Sequence, residues 1–127
     1  MNAAVRNAVR QRANNSCEYC GIAQTTVPFS QHHIEHVRPR KHGGSDDLEN
    51  LALACIYCNL HKGSNLSGID PESTGIVPLF NPRADDWNEH FRFDGANISG
   101  KTARGRATVA VLNMNSVARV RLREPNA

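Results

Sequence analysis

Apolar and polar positions change period several times along this chain, and each change predicts an element. Val5 and Val9 stand four apart, and Ala4 and Ala8 repeat the step. That spacing predicts a short helix over 3–13, stopped by Asn14-Asn15. Cys17 to Cys20 with Gly21 forms a tight turn, and 29–37 reads as a strand broken by Pro39. Residues 38–50 make a polar loop holding Gly43-Gly44 and Asp46-Asp47. The apolar run Leu51–Ala54 is too short to type by itself. Cys55 to Lys62 fits a helix entered through a second cysteine turn, with Gly63 at its C-terminal end.

The second half is more broken. Residues 63–84 are rich in Gly, Ser, Pro and Asn and read as a long connection. Asp85 or Asp86 caps a helix through Phe91, which sets Trp87 and Phe91 on one face. Phe91-Arg-Phe93, Asp94-Gly95 and Asn97-Ile-Ser99 read as a hairpin. Thr102 caps a helix to Asn113, with Ala107, Ala110, Val111 and Met114 in a 3, 4, 7 pattern. Beyond Asn115 the pattern fits a strand or a helix. The chain shows no repeats.

Composition changes this picture in two ways. Seven aromatic residues are a thin supply for the core of a 127-residue chain, whereas four cysteines and six histidines are a surplus. No apolar run is long enough to span a bilayer, and Met1–Arg12 lacks the apolar stretch of a secretory signal, so a cytoplasmic chain is expected. There, paired cysteines point to metal rather than disulfides. The net charge of +3 is also uneven: +3 over 1–12, −5 over 13–100 and +5 over 101–127. Basic ends around an acidic middle suit a polyanion partner and a cation site, although solvated helix faces have the same signature.

The strongest chemical signal is Cys17-x2-Cys20 with Cys55-x2-Cys58. Each pair offers two thiolates one turn apart, and two pairs complete a closed tetrahedral zinc site of the structural type. Four unrelated buried thiols are the plainer alternative. The 34 intervening residues exceed the usual zinc-ribbon spacing, so zinc would tie together the ends of an inserted element.

Between the pairs lie Phe29-Ser-Gln-His32-His33-Ile34-Glu35-His36-Val37-Arg38-Pro39, Gly43-Gly44 and Leu48-Glu49-Asn50-Leu51; Cys58 is followed by Asn59-x-x-Lys62-Gly63. Over residues 17–63 this resembles the zinc-containing HNH endonucleases, with their acid-His pair, Gly-Gly loop, Asn-Leu and Cys-x-x-Cys-[His/Asn]. Leu79 to Arg83, Trp87 to Phe91 and Gly105-Arg-Ala107 also resemble a tail found in a bacterial subgroup. The resemblance implies an α+β fold: a small zinc-stapled ββα-metal (HNH) domain over 1–66, with a helical and hairpin C-terminal extension over 67–127, forming one domain overall. It implies His36 as general base and Asn50 as the residue holding the loop after the strand. Glu35 and Asn59 would bind a catalytic Mg2+ or Mn2+, for which oxygen ligands suit. The family usually has Asp where this chain has Glu35, and the extra methylene adds roughly 1.5 Å of reach against ligand tolerances of about 0.2 Å.

Arg38, Arg40 and Lys41 follow the acid-His pair and are placed for phosphate contacts, which Arg104, Arg106, Arg119, Arg121 and Arg123 would extend. His33 is read as a packed histidine on Glu35's face, His32, His42 and His61 as surface residues, and His90 as structural beside Trp87. The aromatic cluster Phe80, Trp87, Phe91 and Phe93 reads as core, with base stacking as the alternative. The leading function is a metal-dependent endonuclease on DNA leaving 5′-phosphate and 3′-hydroxyl ends, as a monomer or a dimer. Its rivals are a catalytically silent zinc module that binds nucleic acid, an RNA-directed nuclease and a purely structural zinc domain.

Overall fold

In the computed structural model, which describes residues 1–125, the Val5–Val9 spacing becomes helix α1 (Ala3–Arg12). Asn2 caps it by accepting from the Val5 N–H at 2.9 Å. Asn14 and Asn15, both at positive φ, turn the chain out of it. The described residues fall into two units, which divide between Ser64 and Asn65.

In the first unit, β1 (His33–His36) pairs antiparallel with β2 (Leu51–Ala54), in register Glu35 to Ala52 and His36 to Leu51. Helix α2 (Ile56–Lys62) follows directly. All four residues of β2 are buried, which is why Leu51–Ala54 shows no alternation. Val9, Leu51 and Leu53 form the centre of an aliphatic core, with Val5, Ala13 and Ile34 around it.

The strand expected over 29–37 is reduced to four residues, His33–His36, and Phe29 is 76% exposed. Gln24 explains this: its side chain donates to the Val27 and Ser30 carbonyls and accepts from the His32 N–H. Those backbone groups are satisfied locally and need no strand partner. Two of the N-terminal arginines bind backbone carbonyls of this unit. Arg10 donates to the His32 carbonyl, and Arg12 to those of Leu48 and Leu51.

In the second unit, the segment read as a long connection contains a hairpin of β3 (Ser67–Ile69) and β4 (Ile76–Pro78). Asp70, fully buried, organises its turn. Its carboxylate accepts from the backbone of Glu72 and Ser73, from the Ser73 hydroxyl and from both ends of the Arg106 fork at 2.8 and 2.9 Å. A single helical turn, α3 (Trp87–His90), is capped by Asp86 and leads into the expected hairpin of β5 (Phe91–Asp94) and β6 (Asn97–Gly100). Helix α4 (Ala103–Val111) is capped by Thr102 as expected, and packs on β3, β4, β6 and α3. Its Ala110 faces out, and Thr108 takes the interior place by accepting from the Phe80 N–H. Gly105 permits the close approach, since a Cβ there would lie 2.0 Å from the His90 carbonyl oxygen.

The ambiguous end is helix α5 (Val117–Arg123). Arg119 settles it by burying its guanidinium, which donates to the Leu112 and Asn113 carbonyls just beyond the end of α4. None of the described residues forms a helix long and apolar enough to cross a membrane. The fold is thus small and mixed α and β, with three short antiparallel sheets and a four-cysteine cluster among the described residues.

Candidate active site and metal centre

The two cysteine turns converge. Sγ atoms of Cys17, Cys20, Cys55 and Cys58 all lie within 4.8 Å of one another, and all four residues are buried. The Cys20 N–H points at Cys17 Sγ and the Cys58 N–H at Cys55 Sγ, so each turn aims backbone dipoles at its own first sulfur. Cys20 and Cys55 sulfurs stand 3.7 Å apart, too far for a disulfide. Tetrahedral zinc with Zn–S bonds of about 2.3 Å sets sulfurs about 3.8 Å apart, so the cluster fits the ion. Burial pushes the Cys17 and Cys58 thiols well up, which leaves a dication as the means of holding them as thiolates.

A cleft of about 280 Å3 opens between the end of β1 and α2, lined by Ile34, Glu35, His36, Pro39, Arg40, Asn59 and Gly63. It brings Glu35, His36 and Asn59 to one place. Residues 35 and 36 reach it differently, as neighbours on a strand must. The Glu35 side chain runs inward and is 5% exposed. Its Oε2 accepts from the Tyr19 hydroxyl at 2.7 Å, and its Oε1 lies 2.5 Å from Lys62 Nζ. Burial pushes the Glu35 carboxyl up, and Lys62 and Tyr19 pull it back. Lys62, itself 2% exposed, also donates to the carbonyls of His36 and Val37.

The His36 ring faces the cleft mouth, where its Nε2 meets Asp46 Oδ1 at 2.7 Å. Asn59 lines the opposite wall from α2, and its side chain has no hydrogen-bond partner among the described residues. Asn50 sits behind the cleft and clamps the loop. Its Oδ1 accepts from the Arg38 N–H at 2.8 Å, and its Nδ2 donates to the carbonyls of Arg38 and Ser45 at 2.9 and 2.8 Å. Gly44 lies inside that clamp, where a Cβ would fall 1.7 Å from the Arg38 carbonyl oxygen.

The hard donors of this cleft, a carboxylate and an amide oxygen, suit Mg2+ or Mn2+ better than a soft metal. Glu35 already holds a cation, the Lys62 ammonium, which a metal there has to displace or share.

The candidate phosphate contacts divide. Arg38 and Lys41 are exposed, with no side-chain partner among the described residues. Arg40 is bound to Asp46 through both carboxylate oxygens. Of the C-terminal arginines expected to extend the track, Arg121 is exposed and the other four have partners within their own unit. Arg104 pairs with Asp85, Arg106 with Asp70, Arg119 turns inward, and Arg123 donates to the Ala96 and Met114 carbonyls. Two histidines exchange roles. His32 is buried, with Nε2 on the Ile22 carbonyl, while His33 is exposed, because the chain still turns at 32 before β1 begins. His90 is structural, bonded to Thr102 and edge-on to Phe80.

Sequence reasoning assigned no role to Tyr19, Lys62 or Asp46. Lys62 had a signal, since three residues after Asn59 on a helix is the same face. Asp46 and Tyr19 had none beyond their places in the Gly-Gly loop and the first cysteine turn.

Comparison with known proteins agrees with the geometry. The family model described as HNH endonuclease matches residues 17–65. Septu protein PtuB of Bacillus thuringiensis is 26% identical over 118 residues, covering 91% of this chain and 43% of that protein. The CRISPR-associated endonuclease Cas9 of Corynebacterium diphtheriae is 33% identical over 85 residues, covering 66% of this chain and 8% of that protein. The chain therefore spans less than half the length of either curated relative. No solved structure gives a significant match.

Proposed function

We propose, from the premise that residues 17–65 are an HNH endonuclease domain, that this chain hydrolyses phosphodiester bonds in DNA with a divalent cation. The observation that carries the reading is the single cleft shared by Glu35, His36 and Asn59. His36 takes the proton of the attacking water. Glu35 and Asn59 hold the cation, Mg2+ or Mn2+, which when bound supplies the positive charge that a phosphorane-like transition state needs. Asn50 keeps the 38–45 loop, and with it His36, in place without entering the cleft. Arg38 and Lys41 contact phosphates beside the scissile bond. The four cysteines hold one zinc ion, which joins the strand pair to the first cysteine turn.

A supercoiled plasmid incubated with Mg2+, Mn2+ or EDTA tests this. Nicks are expected with the divalent cations and none with EDTA. His36→Ala is expected to lose about 100-fold or more, the usual size of a general-base contribution. If His36→Ala cuts as well as wild type, the base is misassigned. RNA in competition with the plasmid tests substrate choice.

The Glu35–Lys62 ion pair favours a second reading, a silent zinc module that binds nucleic acid, because it neutralises the carboxylate that a metal needs. That module binds DNA with a salt-dependent affinity and cuts neither DNA nor RNA in any divalent metal.

A further inference from the structure

The nuclease reading leaves open which ring nitrogen of His36 does the work. The two nitrogens stand in different surroundings. Nε2 lies 2.7 Å from Asp46 Oδ1, whereas Nδ1 has no partner among the described residues. Asp46 is not a loose surface carboxylate. Arg40 donates to its Oδ1 from Nε at 3.2 Å and from an η-nitrogen at 2.8 Å, and that same η-nitrogen reaches Oδ2 at 3.0 Å. The loop beneath it is pinned. Gly43 turns at φ +82, Gly44 leaves no room for a Cβ, and Asn50 binds the Ser45 carbonyl next to Asp46 in the chain. Arg40, Asp46 and His36 therefore form a chain of contacts built at the mouth of the cleft.

We infer that Asp46 is a positioning residue for the proposed nuclease reaction: it holds His36 in the tautomer with hydrogen on Nε2, so that Nδ1 carries the lone pair that accepts the proton from water. This rests on the nuclease reading for its consequence and on the contact alone for the tautomer. An ionised carboxylate only accepts hydrogen bonds, so the hydrogen between Asp46 and His36 belongs to Nε2. Donation from His36 and Arg40 holds the Asp46 carboxyl down at about 2, so it is ionised wherever the enzyme would work. A neutral imidazole with hydrogen on Nε2 has its lone pair on Nδ1. The same contact stops a half-turn about the Cβ–Cγ bond, which would put a ring carbon where each nitrogen stands.

Two readouts on the zinc-loaded chain test this. In nitrogen-15 NMR of the His36 ring, without metal or with Mg2+ and at a pH where the ring is neutral, wild type should show hydrogen on Nε2 and a bare Nδ1. Asp46→Ala should show the two tautomers averaging. In plasmid nicking, Asp46→Ala should lower kcat about 10- to 100-fold and leave KM within about threefold, the pattern of a misoriented base rather than lost DNA binding. Asp47→Ala, the neighbouring charge whose side chain bonds only to Ser45, should match wild type in both. Hydrogen on Nδ1 in wild type overturns the inference, and so does an Asp46→Ala variant with unchanged kcat and unchanged tautomer. If wild type cuts no nucleic acid, the nuclease reading falls by itself. The NMR comparison then decides alone: a fixed Nε2–H tautomer that Asp46→Ala releases supports the positioning role, and an averaging wild-type ring overturns it.

Discussion

Residues 1–64 and 65–127 are units of nearly equal length that fill their interiors by different means. The first has a small aliphatic centre of Val9, Leu51 and Leu53 beside the four-cysteine cluster. Of its three aromatic residues, Tyr19 alone is buried, and Tyr19 spends its hydroxyl on Glu35. The second holds the other four aromatic residues: Phe80 and Phe91 meet edge to face at 5.1 Å, and Trp87 lies between Phe91 and Phe93. Among the described residues it has no group of metal ligands. Each unit also sets a buried carboxylate against a cation, Glu35 on Lys62 in the first and Asp70 on Arg106 in the second. The scarcity of aromatics in the chain is thus local. Where the cysteine cluster takes up the interior, a few aliphatics suffice; where there is none, aromatic rings fill the space.

The largest test of this contrast is the metal. Structural zinc contributes roughly 10–16 kcal/mol of apparent binding free energy, against a typical domain stability of about 5–15 kcal/mol. Metal analysis should find about one tightly held zinc per chain. Cys55→Ser or a strong chelator should unfold the first unit, seen as lost dispersion of its NMR signals. Emission from Trp87, the one tryptophan in the sequence, reports on the second unit and should persist. A chain purified without chelators that carries no zinc would remove the staple from the account.

The converse test is Phe91→Ala, which should cost the second unit about 3–5 kcal/mol in a urea titration followed by Trp87, with zinc content unchanged.

A smaller effect should appear with acid. Arg106 and Ser73 hold the Asp70 carboxyl far below its ordinary value. A depressed carboxyl stabilises the fold fully above its unfolded pKa of about 3.9 and loses that contribution as pH falls through the folded value. Trp87-monitored stability should therefore decline below about pH 4, and Arg106→Ala should flatten that dependence.

The smallest test treats the two units alike. Asn2→Ala and Thr102→Ala each remove an N-cap acceptor, from α1 and α4, and each should cost its own unit about 1 kcal/mol. A larger loss at Thr102 would measure the second bond its hydroxyl makes, to His90.

How much could be read in advance followed the range of the interaction. The cysteine turns, the Thr102 cap and the Asp94-Gly95 hairpin are local, and each carries its signal within a few residues. The β3–β4 hairpin was missed because its strands are three residues each, too short to show a period, and the Asp70 that organises its turn is held by Arg106, thirty-six residues away. The strand over 29–37 was overdrawn because a Gln24 side chain, not a neighbouring strand, satisfies that backbone. The arginine track loses at least one member, because charge counts do not show direction. Arg119 is 1% exposed and serves the end of a helix.

The sequence by itself determined the chemistry on offer: thiolates in two matched turns, an acid beside a histidine, and an amide directly after the last cysteine. Spacing suffices there, because a ligand pair or a capped turn is made by residues adjacent in the chain. Tertiary structure alone decided how each group is engaged. It turned Glu35 inward onto Tyr19 and Lys62, set His36 against Asp46, and left Asn59 unengaged in the same cleft. Those pairings join residues ten to twenty-seven positions apart. They depend on which face of β1 meets α2 and on where the Gly43-Gly44 loop returns, and no local pattern encodes either.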